Sequence, residues 1–255
     1  MEPKIFYFVI AGFEKPYYIE QIKFRKLQFA KYKIPHRFLF DKDPPPSYTP
    51  DENDLFLPKL QPIPELYEKT EDKLLNPFIV QKFIRGLKEI DLSPYDFIVR
   101  INISTFVHFE NLARLIAGFP KQKVAAAHRF RLNLDVFHYN NRNNPFTLFS
   151  GTCIVMSKDI AEELKKLDPQ TPDFYKNNDD VVLTYYLDKF TRIKLNIPMW
   201  WCDANENPCP EDVMRSYSII RIKHYTNPEV DIRQWKRCLK YVDSIDVDAD
   251  AEAKP

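Results

Sequence analysis

The stretch IFYFVIA, Ile5 to Ala11, is apolar at every position. A strand with one wet face alternates apolar and polar residues. An unbroken run therefore predicts a strand covered on both faces, and such strands belong to parallel sheets flanked by helices. The run is too short to span a bilayer, and it has neither a basic lead nor a small-residue cleavage site, so a cytosolic protein with no membrane span is expected.

The pattern then alternates. A helix is predicted over Tyr17 to Lys31 and a strand over Arg37 to Phe40, which runs into Asp41-Lys42-Asp43 and the prolines Pro44 to Pro46. Ser47 to Leu75 is rich in proline and charge and reads as a surface excursion. Asn76 and Pro77 form an N-cap and first-turn pair, opening a helix with Ile79, Phe83, Leu87 and Ile90 on one face. Further elements are a strand at Tyr95 to Ile103, a helix at Phe109 to Ala117 and a short strand at Lys123 to Ala127. They are followed by a strand at Thr147 to Met156, a helix capped by Ser157, a helix from Asn178 through Tyr186, and a strand at Ser216 to Ile222 ending at His224. His128 to Pro145, polar and rich in asparagine, is expected to be a functional loop. Residues 1–241 read as one α/β domain with a mostly parallel central sheet. Residues 242–255 read as an acidic, disordered tail whose removal leaves folding unchanged.

Several function classes fall on counts alone. Four glycines in 255 residues leave no room for a dinucleotide fingerprint or a phosphate-cradling loop. Thirty-seven basic against thirty-six acidic side chains give no basic footprint, so nucleic acid is not an expected partner. Cys153, Cys202, Cys209 and Cys238 lack zinc-site spacing and fit free thiols in a reducing compartment.

Three segments resemble motifs of one enzyme family. YDFIVRINIST, Tyr95 to Thr105, resembles the strand that ends in an acidic triplet in β1,3-galactosyltransferase and Fringe-type enzymes. FSGTCIVMSKDI, Phe149 to Ile160, is similar to their later Ser-Gly strand, and NNDDVVLTYYL, Asn177 to Leu187, to their Glu-Asp-Val segment. Order and spacing agree, and the look is nearest to glycosyltransferase-like proteins of large DNA viruses. The resemblance implies a GT-A type sandwich. It also implies transfer of a sugar from a nucleoside-diphosphate donor, UDP-linked, to a glycan hydroxyl.

The departure lies at the strand tip, where Asn102, Ile103 and Ser104 replace the acids. A diphosphate-bound Mn2+ or Mg2+ takes anionic oxygen ligands, so Asn102, Ser104 and His224 make at best a weak metal set. Asp41-Lys42-Asp43 spells an alternative acidic pair, but after the second strand. If metal is weak or absent, a cation must stabilise the leaving group, and Arg100, Lys82 and Arg221 are the candidates. Val9, Ala11, Asp41, Lys82, Arg100, Asn102, Ser104 and His224 are the expected donor-binding residues. Ser150, Gly151, Trp200 and Trp201 are expected at the acceptor, the tryptophans because sugars stack on aromatic rings. Asp179 or Asp180, with the resemblance favouring Asp180, is the expected general base of an inverting transfer. The competing reading is a silent GT-A domain that binds nucleotide sugar or glycan.

Overall fold

The computed structural model describes residues 2–58, 60, 77–132, 146–171, 174, 179–202, 209–224 and 227–247. The expected Asn76 and Asn178 helix starts, and 133–145 of the expected loop, lie outside them.

The apolar run forms β1 (Ile5–Ile10), flanked by β2 (His36–Phe40) and β4 (Phe97–Asn102), both parallel to it. With β3 (Asp54–Phe56), β6 (Val124–Leu132), β7 (Phe146–Ser157) and β8 (Ile193–Asn196), these build a seven-stranded sheet of order β3-β2-β1-β4-β7-β6-β8. Only β7 runs against its neighbours. A second sheet, of order β5-β10-β9, joins β5 (Thr105–Val107), β10 (Ile219–Ile222) and β9 (Met199–Cys202).

Both faces of the large sheet are covered, as the absence of alternation in β1 requires. Alternate residues of β1, Phe6, Phe8 and Ile10, pack under α2 (Pro77–Lys88), α4 (Lys158–Lys165) and α5 (Asp179–Phe190). The intervening Tyr7 and Val9 pack under α1 (Tyr17–Tyr32) and α3 (Phe109–Ala117). In α2 the buried apolar side chains are Val80, Phe83, Ile84 and Leu87. Gly86 lets this helix approach β2 so closely that a Cβ there would come within 2.7 Å of Leu39.

The small sheet has its own two sides. Ile219 and Val107 face the large sheet, whereas Phe106, Ile220 and Ile222 pack against Trp235, Cys238 and Leu239 of α7 (Pro228–Asp243), which follows the short α6 (Glu211–Ser216).

Four expectations need correction. The excursion after Ser47 contains β3, which extends the sheet at its edge. The strand at Lys123 to Ala127 continues to Leu132, because β6 shifts register between Ala127 and Arg129 and resumes pairing with β7. Ser157 stands at the N-cap of α4, but its hydroxyl donates to the Asp159 carboxylate and accepts from the Val124 N–H without capping the helix. Finally, the segment expected to be a disordered tail begins inside α7. Asp243 is fully buried, accepting from Gln28 Nε2 at 2.5 Å and from Tyr32 Oη at 2.9 Å. Gln28 in turn accepts from Arg25, whose guanidinium lies 4.7 Å over the Trp235 ring. Val242, Ile245 and Val247 pack against the α7 core.

Ending the chain at Tyr241 is therefore expected to cost about 3 to 5 kcal/mol, since it strands buried donors beside a buried guanidinium. Ending it at Val247 is expected to cost under about 0.5 kcal/mol. Urea denaturation of the two truncations checks this, and equal midpoints would refute the role given to Asp243.

Candidate active site

The carboxyl ends of β1, β2 and β4 open on one side of the sheet, where ligands of open α/β sheets bind. At the β1–β2 corner Lys82, an expected donor-binding residue, is buried. Its ammonium donates to the Ala11 carbonyl at 2.7 Å and lies 3.5 Å from Asp41, so it ties α2 to the strand ends. Ala11 and Asp41 thus sit at the opening as expected. Val9 does not reach it, because strand alternation buries its side chain wholly under α1.

The centre of the site is Arg100. On β4 the side chains of Ile98, Arg100 and Asn102 share one face, grading from apolar to polar toward the carboxyl end. Arg100 is fully buried, and its guanidinium donates to Asp179 Oδ2 at 2.8 Å and to the Gly151 carbonyl at 2.6 Å. The ion pair is with Asp179, whereas Asp96, four residues before Arg100 in the sequence, accepts from Lys121 and the Lys4 amide. Asn102 Oδ1 is buried and has no hydrogen-bond partner among the described residues.

Gly151 can serve Arg100 because of how β7 is paired. The ladder with β6 covers 146–149 and 154–156, and that with β4 covers 153–157. Ser150 to Thr152 fall between the paired stretches, opposite the register shift in β6, which releases backbone groups as a bulge does. The Gly151 carbonyl accepts from Arg100, and its N–H donates to the Asp180 carboxylate. A side chain at 151 would strike both the Asp180 carboxylate and the Arg100 guanidinium. Around this gap Ser150 and Thr152 share a hydroxyl hydrogen bond at 2.8 Å, and Thr105 donates to the Thr152 carbonyl.

Asp179 and Asp180 occupy the first turn of α5, and their environments separate them. Asp179 is held by Arg100. Burial, then the neighbouring Asp179 charge, push Asp180 up to about 7, against the pull of Arg100 and the Gly151 N–H.

The third wall comes from the small sheet. Arg221 donates to Ser104 Oγ at 2.6 Å. His224 is buried, its amide donates to Asp231 Oδ1 at 2.6 Å, and its Nδ1 accepts the Asn227 N–H at 2.8 Å. An N–H directed at Nδ1 leaves the ring proton of the neutral imidazole on Nε2. Burial and the neighbouring charges of Arg221 and Lys15 lower the proton affinity of Lys223. Burial pushes Asp231 up to about 6 despite the pull of His224, Arg221 and Lys15. Lys15, Lys223 and Asp231 were missed in the sequence. The run Arg221-Ile222-Lys223-His224 was the available signal for Lys223, since it places two cations beside the histidine.

The two tryptophans separate. In the parallel pairing of β9 with β10, Trp201 is level with Arg221 and shares its face toward the site, at 46% exposure. Trp200 is level with Ile220 on the opposite face, at 36% exposure, with its ring 5.6 Å from Tyr217.

A solved structure of a glycosyltransferase involved in glycosylation of the major capsid of PBCV-1 matches over 92% of this chain and 100% of that one, with a TM-score of 0.54 and 9% identity. The fold is the GT-A glycosyltransferase fold. The galactosyltransferase LgtC, solved with donor and acceptor sugar analogs, is 12% identical over 94% of this chain and 96% of its own, but its TM-score of 0.48 adds no weight. No protein-family model matches the chain, and no curated protein matches it in sequence.

Gly151→Ala is expected to cost about 1 to 3 kcal/mol through the Asp180 and Arg100 clashes. Gly118→Ala, where a Cβ would meet only the Leu115 carbonyl at 3.6 Å, is expected to be near neutral. Chemical denaturation of both variants checks the contrast.

Proposed function

We propose that the chain transfers a sugar from a UDP-linked donor to a glycan hydroxyl with inversion. The observation that carries this reading is Asp180: a carboxylate at a GT-A strand opening, set against the Gly151 N–H and poised near neutral pH. An inverting transfer needs such a group, because the acceptor oxygen must lose its proton as it forms the new bond to the anomeric carbon. The proton goes to Asp180, and the bond from the anomeric carbon to the phosphate oxygen breaks with its electron pair on the departing diphosphate. Arg100 and Asp179 position this base. The ends of β1 and β2, at Ala11 and Asp41, hold the nucleoside, Asn102 and Ser104 the ribose or phosphate, and His224 the diphosphate through Nε2–H.

Ser150, Gly151 and Trp201 face the acceptor, with Trp200 on the outer face of the same edge strand. Among the described residues no helix is long and apolar enough to cross a membrane. All four cysteines are free, which supports a reducing, cytoplasmic setting. Asn102 and Ser104 in place of acids favour a second reading, a silent domain that binds nucleotide sugar or glycan. Release of UDP from a panel of UDP-sugars separates the two.

Asp180→Asn keeps the shape but removes the proton acceptor. Transfer is expected to fall about 10^2 to 10^4-fold with donor affinity retained. The raised proton affinity fixes the sign of the pH dependence: Asp180 is protonated below about 7, so kcat/KM of the parent should rise as pH increases through that value. The variant should lose this limb. Calorimetry for donor binding and a pH series of initial rates are the measurements. Parent-like turnover in both Asp179→Asn and Asp180→Asn would exclude either acid as the base.

A further inference from the structure

Asn102 and Ser104 bring no carboxylate to the divalent cation that the fold implies at the tip of β4, and Ser104 Oγ already accepts from Arg221. Among the described residues no cluster of three histidine, cysteine or acidic side chains could hold a metal ion, so the residues at this tip do not fit one. The opposite end of the sheet carries a different feature, which the transfer reading leaves unused.

A cavity of about 570 Å³ opens at the amino ends of β1, β2 and β4. Six residues of β1 separate it from the candidate active site, about 20 Å away. Its base is aromatic: the Phe109 ring lies 5.2 Å from that of Tyr7 and 5.6 Å from that of Tyr32, and half-buried Tyr95 adds to the lining. A proline precedes each strand here, Pro3 before β1, Pro35 before β2 and Pro94 before β4, and all three border the cavity. Each fixes its own φ. The Lys4 amide donates to Asp96 Oδ2 at 2.9 Å while the Lys4 carbonyl accepts from the Asp96 N–H at 2.8 Å, so the wall is formed before any ligand arrives.

Around the mouth stand Glu2, Lys4, Lys33 and Glu110. All four are exposed, and none has a side-chain hydrogen bond or ion pair among the described residues. Two positive and two negative heads cancel, which disfavours a polyanion or a polycation as ligand. A protein surface or a lipid laid over the mouth would strand these unpaired charges away from water. A neutral molecule with many hydroxyls meets neither obstacle. Its hydroxyls accept from ammonium groups and donate to carboxylates, while its C–H faces lie on aromatic and proline rings. The volume falls in the range of small-molecule sites.

We propose that this cavity binds a neutral oligosaccharide segment, apart from the candidate active site, with Tyr95 as a stacking face and Lys4 and Glu110 holding hydroxyls. This ligand follows from the cavity's own chemistry and holds whether or not the chain transfers sugar.

The test is saturation-transfer NMR of the full chain with neutral di- and trisaccharides of glucose, galactose, mannose and rhamnose, beside acidic sugars of the same size. At least one neutral sugar is expected to bind, with affinity unchanged in Trp201→Ala, weakened about 5- to 10-fold in Tyr95→Leu and lost in Ala113→Trp, whose indole fills the cavity. Leucine at 95 keeps an apolar contact with Phe6, whose ring lies 5.0 Å from that of Tyr95, and melting temperatures report on folding. If that variant melts early, the exposed Glu110→Gln replaces it, with an expected loss of about fivefold. Binding lost in Trp201→Ala yet parent-like in both cavity variants would overturn the proposal, assign the sugar to the candidate acceptor side and leave the transfer reading standing. No binding by any neutral sugar, or a preference for the acidic ones, would also overturn it, while UDP release would still report on transfer separately.

Discussion

A guanidinium buried in the middle of a central strand is the constraint on which the site is built. Arg100 sits where its neighbours on the same face of the sheet are Phe8 and Ile154, and a charge there is tolerated only if fully compensated. Its partners are an acid at the first turn of α5 and a carbonyl released from the β7 ladder. Meeting that requirement fixes where α5 begins relative to β7, and this in turn sets the Asp180 carboxylate on the Gly151 amide. The poised acid is thus a by-product of solving a desolvation problem one residue away.

A second buried polar seam does similar work at the opposite end of the chain. Arg25, Gln28 and Tyr32 of α1 meet Asp243 of α7, with Trp235 stacked on the guanidinium. This seam pins α7 across the small sheet. Because β10 runs under α7 and carries Arg221 on its other face, the carboxyl-terminal helix also backs the strand whose Arg221 donates to Ser104. Fold and chemistry are joined through sheet alternation: Ile220 and Ile222 anchor the strand while Arg221 serves the site.

Much of the architecture was legible because long elements repeat their signal. The unbroken run of β1, the spacing of Phe83 and Leu87 in α2 and the limits of α3 all came through in the structure. Strands of three or four residues, such as β3, β8 and β9, are too short to show a period, and edge positions relax the apolar pattern further. The helix α7 carried a readable start in Asn227 and Pro228, the same pair that signals α2, yet the acidic composition beyond Tyr241 hid its end. Composition describes an average, and one buried carboxylate escapes it. Within the site, the aspartate pair was visible from order along the chain. The partner of Arg100 was not, since Asp96 is nearer in sequence while Asp179 is nearer in space. The hydrogen bond of Arg221 to Ser104, 117 positions apart, has no local trace at all.

The irregular step in β7 has a further consequence. Ser150 to Thr152 are free of ladder partners, but pairing is in force at Phe149 on one side and at Cys153 on the other. The three residues are a short span clamped at both ends, so the amide facing Asp180 has almost no freedom to wander. Under the proposed transfer little reorganisation would be left to perform on this wall, because its dipoles are already aimed. Any variation in the shape of this cleft is therefore left to its other side, around the exposed Trp201, while the wall formed by Ser150 to Thr152 stays as it is.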